Sequence, residues 1–167
     1  MPEFIPVLAR AEIEKSVAEI AARISSDYHD KELVLIGALK GAFVFLSDLI
    51  RQLSIDVRID FVGASSYGSQ TSSSGEIRLT KDIDIDIKNK HVLIVEDIVD
   101  TGWTLNYLIK YVQSFEPQSV KVCTLIDKRE RSKAPIDVAY ACHVVEQGCL
   151  VGYGLDFNES YRNLTGI

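Results

Sequence analysis

Val92-Leu93-Ile94-Val95 runs without interruption into Glu96-Asp97-Ile98-Val99-Asp100-Thr101-Gly102, and this stretch constrains the fold most tightly. A short, wholly apolar run is the pattern of a strand covered on both faces in a parallel sheet. A helical repeat follows over about 103–115, with Leu105, Leu108, Val112 and Phe115 on its inner face. The flanking sequence repeats the theme. Residues 33–38 and 120–126 are further buried-strand runs. Helices are predicted over 10–26, on the stripe Ile13, Val17, Ile20 and Ile24, and over 42–53, with Phe43, Leu46 and Ile50 on one side. Val57, Ile59 and Phe61 alternate against Arg58 and Asp60 in a strand over 55–66. Shorter strands are expected at 76–80, 138–145 and 149–153. Strand and helix in alternation predict an α/β fold: a twisted, mainly parallel sheet flanked by helices.

At 167 residues the chain is read as one domain, 1–167. Hydrophobic residues make up 47% and charged residues 25%, which excludes a disordered or fibrous chain. The net charge of -6 argues against a general nucleic-acid binder. No apolar run approaches the roughly 18 residues needed to span a membrane, and the N-terminus shows no secretory pattern. Cys123, Cys142 and Cys149 are an odd count without CxxC spacing, so neither a disulfide framework nor a zinc site is expected. A cytoplasmic protein with reduced thiols follows. His29, His91 and His143 lack partners at metal or triad spacing and are read as structural or surface residues. The Gly/Ser-rich stretch 67–75 reads as a flexible loop at the tip of a β-ribbon. Asp82, Asp84 and Asp86 alternate with isoleucines and are read as a solvated strand or loop face rather than a metal site.

The chemistry concentrates at 96–104. A buried strand delivers Glu96 and Asp97 to its C-terminal end, the edge of a parallel sheet where ligands bind. The turn Asp100-Thr101-Gly102-Trp103-Thr104 opens a helix whose first N–H groups favour a phosphate, with the Thr101 and Thr104 hydroxyls as added donors. Carboxylates beside a phosphate cradle repel it unless they hold ribose hydroxyls or a hard cation such as Mg²⁺. Two other readings fit this segment taken alone. One is a receiver domain that chelates Mg²⁺ and is phosphorylated on Asp, although there the acid pair follows the first strand. The other is a capped helix with surface acids and no function.

The segment closely resembles the phosphoribosyl pyrophosphate (PRPP) motif of type I phosphoribosyltransferases, in the form found in the hypoxanthine-guanine phosphoribosyltransferase family. Leu39-Lys40-Gly41 resembles that family's pyrophosphate loop and Ser66-Tyr67 the start of its mobile lid, at about 66–76. Leu125-Ile126-Asp127-Lys128-Arg129 resembles its purine-reading strand end. Val151-Gly152-Tyr153-Gly154-Leu155-Asp156 and Tyr161-Arg162-Asn163-Leu164 resemble its C-terminal signature. The resemblance covers nearly the whole chain. It implies the type I phosphoribosyltransferase fold, with a small hood from the N- and C-terminal segments, and transfer of the 5-phosphoribosyl group of PRPP onto a 6-oxopurine.

The resemblance also implies roles. Glu96 and Asp97 would hold the ribose hydroxyls and a Mg²⁺, and Asp156 a second Mg²⁺. Asp100 would act as general base near purine N7. Residues Thr101, Gly102, Trp103 and Thr104 would hold the 5′-phosphate. Leu39, Lys40, Gly41 and Arg162 would hold the pyrophosphate, and Ser66 and Tyr67 would close over it. In the family the Leu39–Lys40 peptide is cis in some states. Lys128 would donate to the purine O6, selecting a 6-oxopurine over adenine. Backbone of Leu150 and Asp156 would read the purine edge. A homodimer or homotetramer is implied as well. Two positions depart from the family pattern: Trp103 stands in the phosphate loop in place of a small, polar or basic side chain, and Cys149 stands where an aromatic ring usually stacks on the purine.

Overall fold

The computed structural model describes residues 3–67, 76–128, 134 and 136–167. Three helices and six strands alternate in the order α1 (Arg10–Asp27), β1 (Leu33–Leu39), α2 (Phe43–Gln52), β2 (Val57–Tyr67), β3 (Glu76–Lys81), β4 (His91–Val99), α3 (Trp103–Gln113), β5 (Ser119–Lys128) and β6 (Tyr140–Val145). The strands form one sheet in the order β3-β2-β1-β4-β5-β6. Every neighbouring pair is parallel except β2 with β3, an antiparallel ribbon at the edge.

Side chains alternate across β1, and each face meets different helices. Leu33 and Leu35 pack with Ile13, Val17, Ile20 and Ile24 of α1 and Phe45, Leu46 and Leu49 of α2. Val34, Ile36 and Ala38 pack on the other face with Leu105, Leu108 and Val112 of α3, and with Ile83 and Ile87. Coverage on both faces is why β1 and β4 read as continuous apolar runs. No helix among the described residues is long and apolar enough to cross a membrane.

Several expectations need correction. Phe43 is 45% exposed, and the buried face of α2 is Phe45, Leu46 and Leu49. That face looks onto α1 and the sheet, whereas Phe43 opens the helix at its exposed end. Phe115 lies past the end of α3 and is exposed; it packs edge-on against Tyr111. The alternation of β2 does not mark Asp60 as a core residue, yet it is buried and ion-paired with Lys81 at 3.1 Å. The expected solvated face at 82–87 holds: the segment is a connecting loop with Asp82, Asp84 and Asp86 exposed and Ile83 and Ile87 buried. The strand expected at 149–153 does not form. Gly152, Tyr153 and Gly154 have φ of 100°, 51° and 97°, incompatible with an extended chain, and only an isolated bridge joins Gly152 to Leu155. The loop expected at 67–75 lies, past Tyr67, outside the described residues, as do Arg129, Glu130 and Arg131.

The two chain ends meet. The N–H groups of Val7 and Leu8 donate to the carbonyl of Ile167 at 2.8 Å, and Ile167 donates back to Leu8 at 3.0 Å. The turn at 152–155 is tied to the segment after it: Tyr153 N–H donates to Leu164 O and Gly154 N–H to Arg162 O. A side chain at Gly154 would strike the Gly41 carbonyl, so the C-terminal turn sits backbone to backbone on the β1–α2 loop.

Candidate active site

Parallel strands β1, β4 and β5 all end on one edge of the sheet, and the candidate residues gather there. A polar cavity of about 270 Å³ is lined by Leu39, Lys40, Gly41, Glu96, Asp97, Thr104, Asp156 and Arg162, among others. A smaller one, about 130 Å³, adjoins it and is lined by Glu96, Ile98, Asp100, Thr101, Gly102 and Thr104. Glu96 and Thr104 border both.

Glu96 and Asp97 are the last polar pair of β4 before the chain turns. Burial raises the Glu96 carboxyl well above its ordinary value, and the neighbouring Asp97 charge adds to this. Burial also raises Asp97, partly offset by hydrogen bonding to Glu96, by the Ile98 N–H and by the Arg162 charge. The Asp97 carboxylate accepts from the Ile98 N–H at 2.7 Å. Its other side rests on Gly41, where any Cβ would overlap the carboxylate. The β1–α2 loop therefore approaches the acids closely because residue 41 has no side chain. The Leu39–Lys40 peptide is cis.

Gly102 caps α3 with φ 89°, a left-handed conformation that suits glycine, and no side chain caps the helix. The first N–H groups of α3 are thus left without a side-chain acceptor beside the smaller cavity, an arrangement suited to an anion. Trp103 is the first residue of α3, is 38% exposed and does not line the smaller cavity.

Lys128 ends β5 and is buried, with Nζ 3.8 Å from Asp100 Oδ2. Lys128 is therefore withdrawn from solvent at the end of β5. Lys40 pairs with Glu159 at 2.6 Å, and Arg162 reaches Glu159 at 3.0 Å and Asp156 at 3.5 Å. The hydrogen bond from Lys40 and then that from Arg162 hold Glu159 below the usual carboxylate range. Glu159 was not singled out in the sequence. It lies three residues from both Asp156 and Arg162, and that spacing was the available signal.

Two expected residues stand elsewhere. Cys149, exposed, and Leu150, half-buried, line an apolar cavity of about 560 Å³ between the N-terminal segment and residues 164–167. Neither borders the two polar cavities. Ser66 is exposed on β2, and Tyr67 pairs with Glu76 in the last described register of the ribbon. Among the described residues no three His, Cys, Asp or Glu side chains are grouped as a set of metal ligands.

A family model described as "Phosphoribosyl transferase domain" matches residues 7–158. The chain belongs to this family. A hypoxanthine-guanine phosphoribosyltransferase of Bacillus subtilis (strain 168) is 41% identical, over 96% of this chain and 89% of its own length. One of Mycobacterium avium is also 41% identical, over 96% of this chain and 82% of its own length. A crystal structure of a hypoxanthine-guanine phosphoribosyltransferase from Bacillus anthracis superposes with a TM-score of 0.94 at 42% identity, covering 99% of this chain and 97% of that one. The phosphoribosyltransferase fold expected from the sequence is the one observed: a mainly parallel sheet between helices, with its polar edge at the ends of β1, β4 and β5.

Proposed function

We propose that the protein moves the 5-phosphoribosyl group of PRPP onto a 6-oxopurine, giving the nucleoside monophosphate and pyrophosphate. The observation that carries the reading is the convergence, on one sheet edge, of an acid pair, an uncapped helix N-terminus and a buried lysine beside a carboxylate. The names of the relatives support the same substrates.

The bond from ribose C1 to pyrophosphate breaks as C1 bonds to a purine nitrogen, through a centre of oxocarbenium character. Glu96 and Asp97 accept hydrogen bonds from the ribose hydroxyls and favour the positive charge developing on the sugar. The N–H groups at the start of α3, with Thr101 and Thr104, hold the 5′-phosphate. Lys40 and Arg162 neutralise the departing pyrophosphate. Lys128 donates to the purine O6, and Asp100, 3.8 Å away, takes the N7 proton as the new bond forms. Ser66 and Tyr67 begin a lid that shields the activated sugar from water.

The donors present suit Mg²⁺. Glu96, Asp97 and Asp156 offer hard carboxylate oxygens, and the raised Glu96 and Asp97 carboxyls face a shortage of positive charge. Mg²⁺ is commonly held by one or two carboxylates with substrate oxygens completing its shell, so a three-carboxylate cluster is not required. When bound, the ion would neutralise phosphate charge. The segments 3–8 and 147–167, joined through Ile167, form the hood that flanks the base.

The test is product formation with hypoxanthine, guanine, xanthine and adenine in turn, each with PRPP and Mg²⁺. The expected result is pyrophosphate release that depends on a 6-oxopurine and is absent with adenine. PRPP binding without purine-dependent release would replace the enzyme by a nucleotide-binding regulator.

A further inference from the structure

Glu159 places its two carboxylate oxygens on two different cations. Oε2 accepts from Lys40 Nζ at 2.6 Å and Oε1 from the Arg162 guanidinium at 3.0 Å. Lys40 lies on the β1–α2 loop and Arg162 in the C-terminal segment, and both line the cavity that contains Glu96 and Asp97. An anion shared by an ammonium and a guanidinium is the arrangement such a pair offers a phosphate group.

The backbone holds Glu159 there against its own preferences. Asn158 and Glu159 have φ of 51° and 66°, two successive non-glycine residues in the sparsely populated left-handed region. Three bonds keep them so. The Glu159 N–H donates to Asp156 Oδ2 at 2.8 Å, and Phe157 and Ser160 exchange backbone hydrogen bonds at 3.0 Å each. The side chain itself is 63% exposed, so it can swing off its partners without disturbing the core.

We infer that Glu159 is a built-in competitor for the pyrophosphate position: its carboxylate occupies Lys40 and Arg162 in the free protein, yields them to the pyrophosphate group of PRPP, and returns as pyrophosphate leaves. The inference rests on the proposed reading of Lys40 and Arg162 as pyrophosphate ligands. A ligand that must first displace an internal group has an apparent Kd equal to its intrinsic Kd divided by the fraction of protein in which the site is free. Exposed ion pairs are individually weak, so the displacement is easy and the effect modest. The benefit falls on product release, since pyrophosphate then leaves a site whose cations have a ready replacement anion.

The experiment compares wild type with Glu159→Gln and Glu159→Asp, measuring the Kd of Mg²⁺-pyrophosphate by calorimetry, the PRPP and purine KM values, and thermal melts. Gln removes the charge with little change of size, and Asp keeps the charge but withdraws it by one methylene. In Glu159→Gln the pyrophosphate Kd and the PRPP KM should both fall about 3- to 10-fold, with the purine KM unchanged. Glu159→Asp should fall in the same direction by about 2-fold or more. Tightening in Gln alone would reduce the effect to net charge and overturn the inference. Unchanged or weaker pyrophosphate binding in both variants would overturn it too, making Glu159 a brace for the cations while leaving the site reading intact. If wild type neither binds pyrophosphate nor catalyses purine-dependent transfer, the site reading fails and the inference falls with it.

Discussion

Asp60 on β2 and the Glu96–Asp97 pair on β4 lie on the two strands that flank β1, yet the protein treats them oppositely. Through β1, Asp60 is level with Ile94, two residues short of Glu96 along the sheet. Burial alone would raise the Asp60 carboxyl. The N–H groups of Asp84 and Phe61, then Lys81 and the Ile85 N–H, outweigh it and hold Asp60 below its ordinary value. Those bonds run from 2.7 to 3.2 Å. Glu96 and Asp97, half-buried beside the cavity, chiefly have each other as neighbours and are both raised. Desolvation acts on both regions; what differs is whether the protein itself supplies the compensating hydrogen bonds and charge. Asp60 ties β2, β3 and the 82–87 loop together. The acid pair keeps its raised carboxyls at the cavity it lines together with Lys40 and Arg162.

The comparison can be broken first at the ligand side. Asp100→Asn should lower turnover by about 10²- to 10⁴-fold while PRPP still binds, because the amide keeps the shape and loses the base. Single-turnover kinetics alongside PRPP titration would show it, and unchanged turnover would remove Asp100 from the chemistry. Lys128→Ala should come next. Loss of a hydrogen bond to a charged group is worth about 1.5–3 kcal/mol, which predicts a purine KM raised by about 10- to 150-fold with the PRPP KM little changed. Equal losses for both substrates would make the lysine a structural partner of Asp100.

At the structural side, Asp60→Asn should cost stability instead of chemistry. About 1.5–3 kcal/mol lowers the melting temperature by about 3–12 °C in a chain of this size, with kcat of the folded variant near wild type. A tenfold loss of kcat without a melting shift would erase the distinction between the two regions.

The smallest effect is in the pH dependence of melting. Asp60 is depressed, so its stabilisation is present above its ordinary value of 3.8 and disappears as pH falls through its lower folded value. The melting gap between wild type and Asp60→Asn should be full at neutral pH and close in acid. Glu96 is raised, so its penalty sets in as pH rises above 4.5 and is complete above its folded value. In metal-free buffer Glu96→Gln should therefore gain on wild type as pH rises through that window. Parallel curves for the two variants would contradict the opposite treatment of the two acids.

The legible part of this protein was local. Val92 to Thr104 is strand, turn and helix because apolar continuity, Gly102 and the following helical repeat act within a few residues of each other, and the structure has β4, a left-handed cap and α3 there. The same logic gave a mainly parallel sheet and put Asp100, Thr101 and Thr104 just past the end of β4, where they line one cavity. What only the tertiary structure decided depends on distant partners. Nothing in its own strand marks Asp60 as buried; the Asp84 N–H, 24 residues on, and Lys81, 21 residues on, help complete its charge. Residues 149–153 carry the composition of a strand, but three successive positive φ values turn them onto the β1–α2 loop. Glu159 meets Lys40 across 119 residues. Periodicity and turn chemistry report on neighbours in the chain; pairing of charge across a sheet edge is settled only when the strands are brought side by side.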